Sequence, residues 1–233
     1  MIEERATPGI SPAEVMQEHI DRYTFAKKYV SGKSVLDVAC GSGYGSFMLA
    51  ETAKSVAGVD ISIDAIEYAK ANYSAGNIQY YPDNATHLRF YDNSFDVVVS
   101  FETIEHITDY QTFLKECRRV LKPGGIFICS TPNALVSSPD GKIENPYHVI
   151  EFSYEEFNNI LQDHFSSIEV HGQHDIDSLK ELVFKSYFWI KRKLRIKRAL
   201  FCREDTEASF PVCDFKNGVV NSAYMIVVCG GRN

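Results

Sequence analysis

The stretch that decides the fold is Val35-Leu36-Asp37-Val38-Ala39-Cys40-Gly41-Ser42-Gly43-Tyr44-Gly45. Its first half is apolar enough for a buried strand, and its glycines allow a tight turn in which the backbone approaches a ligand closely. A helix after this turn would direct free N–H groups and the positive end of its dipole at that ligand. The pattern predicts a strand, a ligand-binding turn and a helix. A plain strand-to-helix connection is the alternative.

The dinucleotide fingerprint G-x-G-x-x-G is not fulfilled, because position 46 is Ser46 and the third glycine, Gly45, comes one residue early. This disfavours NAD. A second signal is Asp60, which ends the apolar run 56–59, 19 residues after Gly41. At the end of the second strand of a doubly wound fold, a carboxylate can accept hydrogen bonds from both ribose hydroxyls. Asp60 as a simple helix-flanking acid is the alternative.

Apolar strand-like runs alternate with helix-like stretches, which predicts a parallel sheet with crossover helices. We expect one α/β domain over residues 1–233: a Rossmann-like, seven-stranded, mostly parallel sheet with helices on both faces and an antiparallel last strand. Strands are predicted at 34–39, 55–59, 78–81, 95–101, 126–130, 167–170 and 223–228, and helices at 47–53, 63–73, 110–120 and 154–162.

Two segments lie outside this alternation. Residues 1–30 are predicted to form a helical cap, whose helix begins with Ser11 as N-cap and Pro12 as first helical residue and runs towards Tyr29. Residues 174–220 form an insertion before the last strand, longer than a usual connection, and we expect a substrate or partner element there.

The composition argues against two classes of protein. A net charge of −7 and a pI near 5.5 disfavour nucleic acid as a partner, because phosphate binding needs a surplus of Lys and Arg. The six cysteines are dispersed, without zinc-ligand spacing, so no structural metal is expected. The chain shows no secretory signal and no 18-residue apolar run, which predicts a soluble, reduced, cytoplasmic protein.

Five motifs in order carry a family resemblance. The glycine stretch and the Asp60 segment, with Asp83-Asn84-Ala85, the run 94–100 and Leu121-Lys122-Pro123-Gly124-Gly125, resemble the class I S-adenosylmethionine methyltransferases of the methyltransferase 11/23 type. The resemblance spans roughly residues 30–135. It implies S-adenosylmethionine as cofactor and S-adenosylhomocysteine as product.

The resemblance also implies roles for individual residues. The methionine part of the cofactor would be surrounded by Asp37, Ala39, Gly41 and Gly43, and its carboxylate end would bond to Tyr23. Asp60 would hold the ribose, Ile61 would pack on the adenine, and Asn84 and Ala85 would lie at the adenine edge. Phe101 would face the sulfonium. The family usually has an acid at the position of Asn84, so here the side-chain carbonyl would have to accept from the adenine amino group.

Two histidines are candidate bases. Glu105-His106-Ile107 resembles the E-H-I/V segment of many small-molecule methyltransferases, and a near-neutral imidazole suits removal of a hydroxyl proton. His106 packed at a helix start is the alternative. His148 lies in Asn145-Pro146-Tyr147-His148-Val149-Ile150-Glu151-Phe152, where Glu151 can orient it; binding to the 130–133 loop is its alternative. No metal site is predicted, although Glu102, Glu105 and Asp83 supply carboxylates that an ion could meet.

The predicted reaction is methyl transfer to an oxygen, with nitrogen second, of a small-molecule or carbohydrate acceptor. The carbohydrate expectation comes from the stretches 4–9, 19–26 and 145–152, which resemble segments of glycan-modifying methyltransferases. Alternatives are methylation of a membrane-borne quinone or lipid, and a cofactor-binding protein without turnover. Residues 185–203 carry eight basic and no acidic residues. They predict a surface for an anionic acceptor such as a nucleotide-sugar, a peripheral membrane contact, or a helix that neutralises the acidic body. The oligomeric state stays open.

Overall fold

A mixed sheet forms the centre of the computed structural model, which describes residues 6–175, 213–214 and 222–231. Its strands are β1 (Ser34–Val38), β2 (Ser55–Asp60), β3 (Ile78–Pro82), β4 (Phe95–Phe101), β5 (Leu121–Pro132), β6 (Ser167–Asp175), β7 (Cys213–Asp214) and β8 (Ser222–Gly230). They lie in the order β3-β2-β1-β4-β5-β8-β6-β7. Successive strands are therefore added on one side of β1 up to β3 and on its other side from β4 onwards. At this switch point a crevice for a ligand is expected outside the carboxyl ends of β1 and β4.

The predicted sheet is confirmed in its main features. Strands β1 to β5 are parallel, and β8 is antiparallel to both β5 and β6. The two-residue β7, antiparallel to β6, is an addition that the sequence pattern did not predict. It falls within the predicted insertion 174–220, most of which, including the basic segment 185–203, lies outside the described residues.

Six helices and a short 3₁₀ turn connect the strands in the part of the chain that the structure describes. They are α1 (Ala13–Val30), α2 (Tyr44–Ala50), α3 (Ile63–Asn72), α4 (Tyr110–Val120), α5 (Ala134–Ser137) and α6 (Tyr154–Gln162), with the 3₁₀ turn at Ile104–His106. None of the described helices is long and apolar enough to cross a membrane.

Two predicted helix starts were wrong. Pro12, not Ser11, is the N-cap of α1, and the Ser11 hydroxyl instead accepts a hydrogen bond from the Thr7 amide at 2.9 Å. Helix α2 begins at Tyr44, three residues before the predicted start at 47. The cause is Gly43, whose φ of 89° lets the turn pass directly into the helix. Helix α3 begins near its predicted start, with Ser62 as N-cap, whose side chain accepts from the Ala65 amide.

The core lies on both faces of the sheet. Val98 of β4 packs in one apolar cluster with residues of α4 and α6, whereas Val97 and Val99 pack in a second cluster with residues of α1 and α2. Side chains of a strand alternate between faces, so a strand covered on both sides must be apolar throughout. This explains the run of β4 and places its carboxyl end, with Phe101 and Glu102, beside the crevice.

Candidate active site

A cavity of about 580 Å³ opens at the carboxyl ends of β1, β2 and β4. Its wall includes eight of the ten residues that the sequence predicted to bind a cofactor, together with both predicted catalytic histidines. These are Tyr23, Ala39, Gly41, Asp60, Ile61, Asn84, Ala85, Phe101, His106 and His148. The other two predicted cofactor residues, Asp37 and Gly43, lie behind the wall and shape the turn.

The turn after β1 is built from left-handed backbone. Ala39 has φ of 60°, Gly41 of 55° and Gly43 of 89°. A non-glycine residue in this region is strained, and such strain is found mainly at functional sites. Gly43 is also tightly enclosed, because a Cβ there would lie 2.5 Å from Cβ of Ala69 and 3.1 Å from the Tyr80 hydroxyl. Position 43 is therefore restricted to glycine, both by its left-handed backbone and by the lack of room for a Cβ atom.

Gly43→Ala is expected to lower the free energy of unfolding by about 3 kcal/mol, from left-handed strain of about 1–2 kcal/mol and overpacking of about 1–3 kcal/mol. Gly124→Ala is the matched control, because Gly124 has φ of +71° with nothing within 4 Å of the added Cβ. We expect it to lose only the strain contribution. Equilibrium urea unfolding measures both, and equal losses would show that contact with Ala69 does not matter.

Asp60 ties the second strand to the glycine turn. The buried carboxylate accepts from the Gly41 amide at 3.0 Å through Oδ2 and from the Ser62 amide at 2.9 Å through Oδ1. A carboxylate oxygen accepts more than one hydrogen bond, so this role is compatible with ligand hydroxyls. The adjacent Ile61 is 74% exposed at the cavity wall, which provides an apolar surface for a flat ring.

The adenine edge predicted around Asn84 is more occupied than expected. Oδ1 of Asn84 accepts from the Thr86 amide and from the Thr86 hydroxyl, each at 2.9 Å. The neighbouring carboxylate of Asp83 also lines the cavity and accepts from the amides of Asn84 and Arg89, each at 3.0 Å. A ligand amino group at this edge would thus meet two acceptors that are already oriented by the backbone.

Asp37 is fully buried and is held by two hydroxyls. Ser46 Oγ donates at 2.6 Å to Oδ2, and the Tyr23 hydroxyl lies 3.2 and 3.3 Å from the two carboxylate oxygens. Burial raises the pKa of Asp37 to about 7, although both hydrogen bonds oppose the rise. A cofactor carboxylate would have to compete with Asp37 for the single hydrogen of Tyr23, the contact predicted from the sequence.

Gly45 has a role that the sequence pattern did not indicate. A Cβ on Gly45 would lie 2.0 Å from Cζ of Tyr23, so only glycine lets the phenol ring pack against α2. The ring is fixed further by edge-on contacts with Phe101 and Tyr44, at centroid distances of 5.1 and 5.7 Å. Gly45 is thus a packing residue for the N-terminal helix and not a displaced fingerprint glycine.

The two histidines come together through backbone pairing. The Glu105 carbonyl accepts from the amides of Val149 and Ile150, at 2.9 and 3.3 Å, which fixes the 145–152 loop beside the 3₁₀ turn. The rings of His106 and His148 then meet edge to face, with centroids 4.9 Å apart. The sequence proposed each histidine separately and did not predict that they are neighbours.

His148 is oriented by a carboxylate. Its Nδ1 lies 2.6 Å from Oε1 of Glu151, and Nε2 lies 2.8 Å from the side-chain amide of Asn145. Glu151 is held in turn by the hydroxyls of Ser137 and Ser138. Burial raises the pKa of Glu151, but the bonds from Ser137, Ser138 and His148 outweigh it and lower the pKa. Nδ1 therefore carries the imidazole proton, Nε2 carries the lone pair, and no bond joins His148 to the 130–133 loop.

A buried ionic group behind the histidines was missed entirely. The guanidinium of Arg22 is fully buried, donates through Nε to Gln173 at 2.7 Å, and stacks 4.2 Å above the Tyr224 ring. Its Nη1 lies 3.7 Å from Oε1 of Glu102. Burial, with the nearby Glu102 charge, raises the pKa of the fully buried Glu105 well above its usual range. Arg22 is one of many polar residues in α1, so the sequence gives no signal for its burial.

Comparison with known proteins gives the family. Residues 36–129 match the family model described as a methyltransferase domain. The chain carries a class I methyltransferase domain. This methyltransferase domain thus covers β1 to β5, the region of the predicted motifs. The sequence-based prediction of family and fold is confirmed, whereas the roles of individual residues stay predictions.

Two of the curated proteins that resemble the chain show how far the similarity extends. A probable S-adenosylmethionine-dependent methyltransferase of Mycolicibacterium smegmatis is 35% identical over 161 residues, 68% of this chain and 62% of that protein. A ubiquinone biosynthesis O-methyltransferase of Cereibacter sphaeroides is 39% identical over 115 residues, 48% of this chain and 47% of that protein. The chain therefore spans about half to three fifths of the length of these relatives.

The structural neighbour supports the fold of the methyltransferase domain. A S-adenosylmethionine-dependent methyltransferase of Thermotoga maritima superimposes with a TM-score of 0.63 at 16% identity, over 93% of this chain and 92% of that one. At this level of identity the likeness concerns the fold alone, because one fold hosts many functions.

Proposed function

We propose that this protein transfers a methyl group from S-adenosylmethionine to an oxygen of a small-molecule acceptor and releases S-adenosylhomocysteine. One observation carries the proposal: a single cavity joins the glycine turn and Asp60 on one side to the His106 and His148 pair on the other. The matched domain and the names of the relatives support the choice of cofactor.

On the cofactor side, Asp60 would accept hydrogen bonds from the ribose hydroxyls and Ile61 would cover one adenine face. Asp83 and Asn84 would receive the adenine amino group, and Phe101 would lie near the sulfonium. The sulfonium is already a reactive electrophile, so the protein mainly has to align it with the acceptor. These assignments follow the wall of the cavity, in which each of the five residues takes part.

On the acceptor side, His148 would act on the hydroxyl. The Asn145 amide donates a hydrogen bond to Nε2 of His148. The hydroxyl of the methyl acceptor would take the place of this amide and donate to the same nitrogen. When bound, S-adenosylmethionine would supply an electrophilic methyl group, and its sulfur would keep the electron pair of the S–C bond as the hydroxyl oxygen takes the methyl. The hydroxyl proton would pass to Nε2 of His148, and Glu151, which lies on Nδ1, would stabilise the resulting imidazolium.

Calorimetric titration with S-adenosylmethionine and S-adenosylhomocysteine tests the cofactor half. We expect one molecule bound per chain, with Asp60→Asn weakening both affinities at least tenfold. Asp64→Asn is the matched control, because Asp64 is an exposed acid on the next helix and does not line the cavity. Absence of binding at millimolar ligand would contradict the proposal, as would equal affinities of the two variants.

A quinone-type phenol is a second candidate acceptor. Methylation of a membrane-borne quinone is also one of the alternatives that the sequence leaves open. It is favoured by the ubiquinone biosynthesis O-methyltransferase among the relatives and by the apolar exposure of Tyr147 and Val149, which flank His148. A turnover assay that offers phenols and sugar nucleotides separately discriminates this candidate from the carbohydrate acceptor. Binding without turnover on either class would favour the third alternative, a cofactor-binding protein.

A further inference from the structure

We infer that Glu105, His106 and His148 form a binding site for a divalent cation of the zinc, cobalt or manganese type. One ligand atom from each of the three residues lies within 4.8 Å of the other two, and all three residues line the cavity. The site lies at the acceptor end, next to the place proposed for the hydroxyl.

Glu105 would supply the carboxylate ligand. It is fully buried, and its Oε2 accepts from the Thr131 hydroxyl at 3.0 Å. Its Oε1 is buried without a hydrogen-bond partner and lies 3.9 Å from Nε2 of His106, too far for a hydrogen bond. A buried acceptor without a donor costs free energy, and a cation in the cavity would remove that cost.

Both imidazoles have their Nδ1 on an oxygen acceptor. Nδ1 of His106 lies 3.0 Å from the Tyr147 carbonyl, and Nδ1 of His148 lies 2.6 Å from the Glu151 carboxylate. Each bond places the proton on Nδ1 and the lone pair on Nε2. Histidines that bind metals are held in this way, by a carbonyl or carboxylate on the other ring nitrogen.

Two local changes would accompany binding. The Asn145 amide, 2.8 Å from Nε2 of His148, would leave that lone pair to the ion. The ligand atoms would approach by roughly 1 Å, because bonds of about 2.1 Å to a tetrahedral ion bring its ligands to about 3.4 Å of one another. Asn145 is exposed and His106 and His148 are half-buried, so these three side chains have room to rotate.

The ligand set selects the ion. Two imidazoles and one carboxylate suit zinc and its first-row neighbours, whereas Mg²⁺ prefers oxygen ligands and keeps several waters. Three protein ligands leave at least one position open towards the cavity. A hydroxyl on that position becomes more acidic and can lose its proton to solvent, so the same two Nε2 lone pairs would activate it through the ion. This use rests on the proposed function, whereas the binding itself does not.

The test is calorimetric titration of the full chain, freed of metal with a chelator, with Zn²⁺, Co²⁺ and Mg²⁺ in the absence of cofactor and acceptor. We expect one Zn²⁺ or Co²⁺ per chain, bound at least 100-fold more tightly than Mg²⁺. The Co²⁺ absorption spectrum should show nitrogen and oxygen ligands. A thiolate charge-transfer band would overturn the assignment, because it would place the ion on cysteine.

Variants locate the ion and separate this inference from the methyltransferase proposal. Glu105→Gln and His148→Gln should each weaken Zn²⁺ at least 100-fold, and Glu151→Gln, which acts only through His148, about tenfold. His87→Gln, at an exposed histidine outside the cavity, is the control and should bind as the parent does. Circular dichroism and cofactor titration report whether each variant is folded. Unchanged Zn²⁺ affinity in folded Glu105→Gln and His148→Gln would overturn the inference, whatever the outcome of cofactor binding.

Discussion

His148→Ala is expected to lower kcat for methyl transfer by about 10²–10⁴-fold while the dissociation constant of S-adenosylmethionine changes less than about twofold. The imidazole touches the acceptor end of the cavity, and Glu151, Ser137 and Ser138 hold it in one orientation. Its loss removes the proton acceptor when no cation is bound and a ligand of the inferred cation when one is bound, so turnover falls by either route. Steady-state kinetics with a methylated phenol as product measures the effect.

His164→Ala is the matched control for this prediction. His164 is also half-buried and hydrogen-bonded, to Gln111 at 3.0 Å, but it does not line the cavity. We expect it to leave kcat within twofold. An equal kcat for His148→Ala and the parent would remove His148 from the chemistry, even if the cofactor binds.

The meeting of the glycine turn with Asp60 was predictable because its signals are local. A buried strand, a turn with left-handed glycines and an acid at the end of the next strand each occupy a few consecutive residues. The parallel register of β1 and β2 then brings Gly41 and Asp60 together, because the carboxyl ends of parallel strands share one edge. Local pattern and strand order suffice for this part.

The cavity wall around the two histidines was predictable only in parts, because it depends on contacts between distant residues. His106 and His148 meet through the pairing of the Glu105 carbonyl with Val149, about 40 residues away along the chain. Arg22 reaches Gln173 over 151 residues. No spacing rule relates such positions, so the sequence indicated candidate side chains without indicating that a carboxylate and two imidazoles share one cluster.

Asp37→Asn is expected to raise the free energy of unfolding at pH 8 by up to about 4 kcal/mol and to leave it almost unchanged at pH 4. The pKa of Asp37 rises from 3.8 to about 7 on folding, and each pKa unit is about 1.36 kcal/mol. Burial is the main cause, with the nearby Asp60 charge in addition. Above pH 3.8 the unfolded chain loses this proton and the folded chain keeps it, so stability falls between about pH 4 and pH 7. Asparagine does not ionise and escapes the loss.

Urea unfolding of the parent and the variant from pH 4 to pH 8 measures the difference, in which the titration of all other groups cancels. Asp96→Asn is the control of opposite sign. Burial raises the pKa of Asp96, but the Ser34 amide and Lys122 outweigh it and lower the pKa, so this carboxylate stabilises the fold at neutral pH and loses that effect in acid. A variant Asp37→Asn that is less stable than the parent at pH 8 would contradict the reasoning.

The ionised Asp37 destabilises the protein at neutral pH, and a cationic ligand would offset this effect. S-adenosylmethionine carries an ammonium and a sulfonium charge, and S-adenosylhomocysteine lacks the sulfonium. Asp37 lies behind Tyr23 and would act on these charges across a buried, poorly screened distance. We therefore expect Asp37→Asn to weaken S-adenosylmethionine at least tenfold at pH 8 and S-adenosylhomocysteine by less. Asp37→Asn would then be more stable than the parent but would bind S-adenosylmethionine more weakly. In the parent the buried negative charge is stabilised by the positive ligand, and the variant lacks that charge.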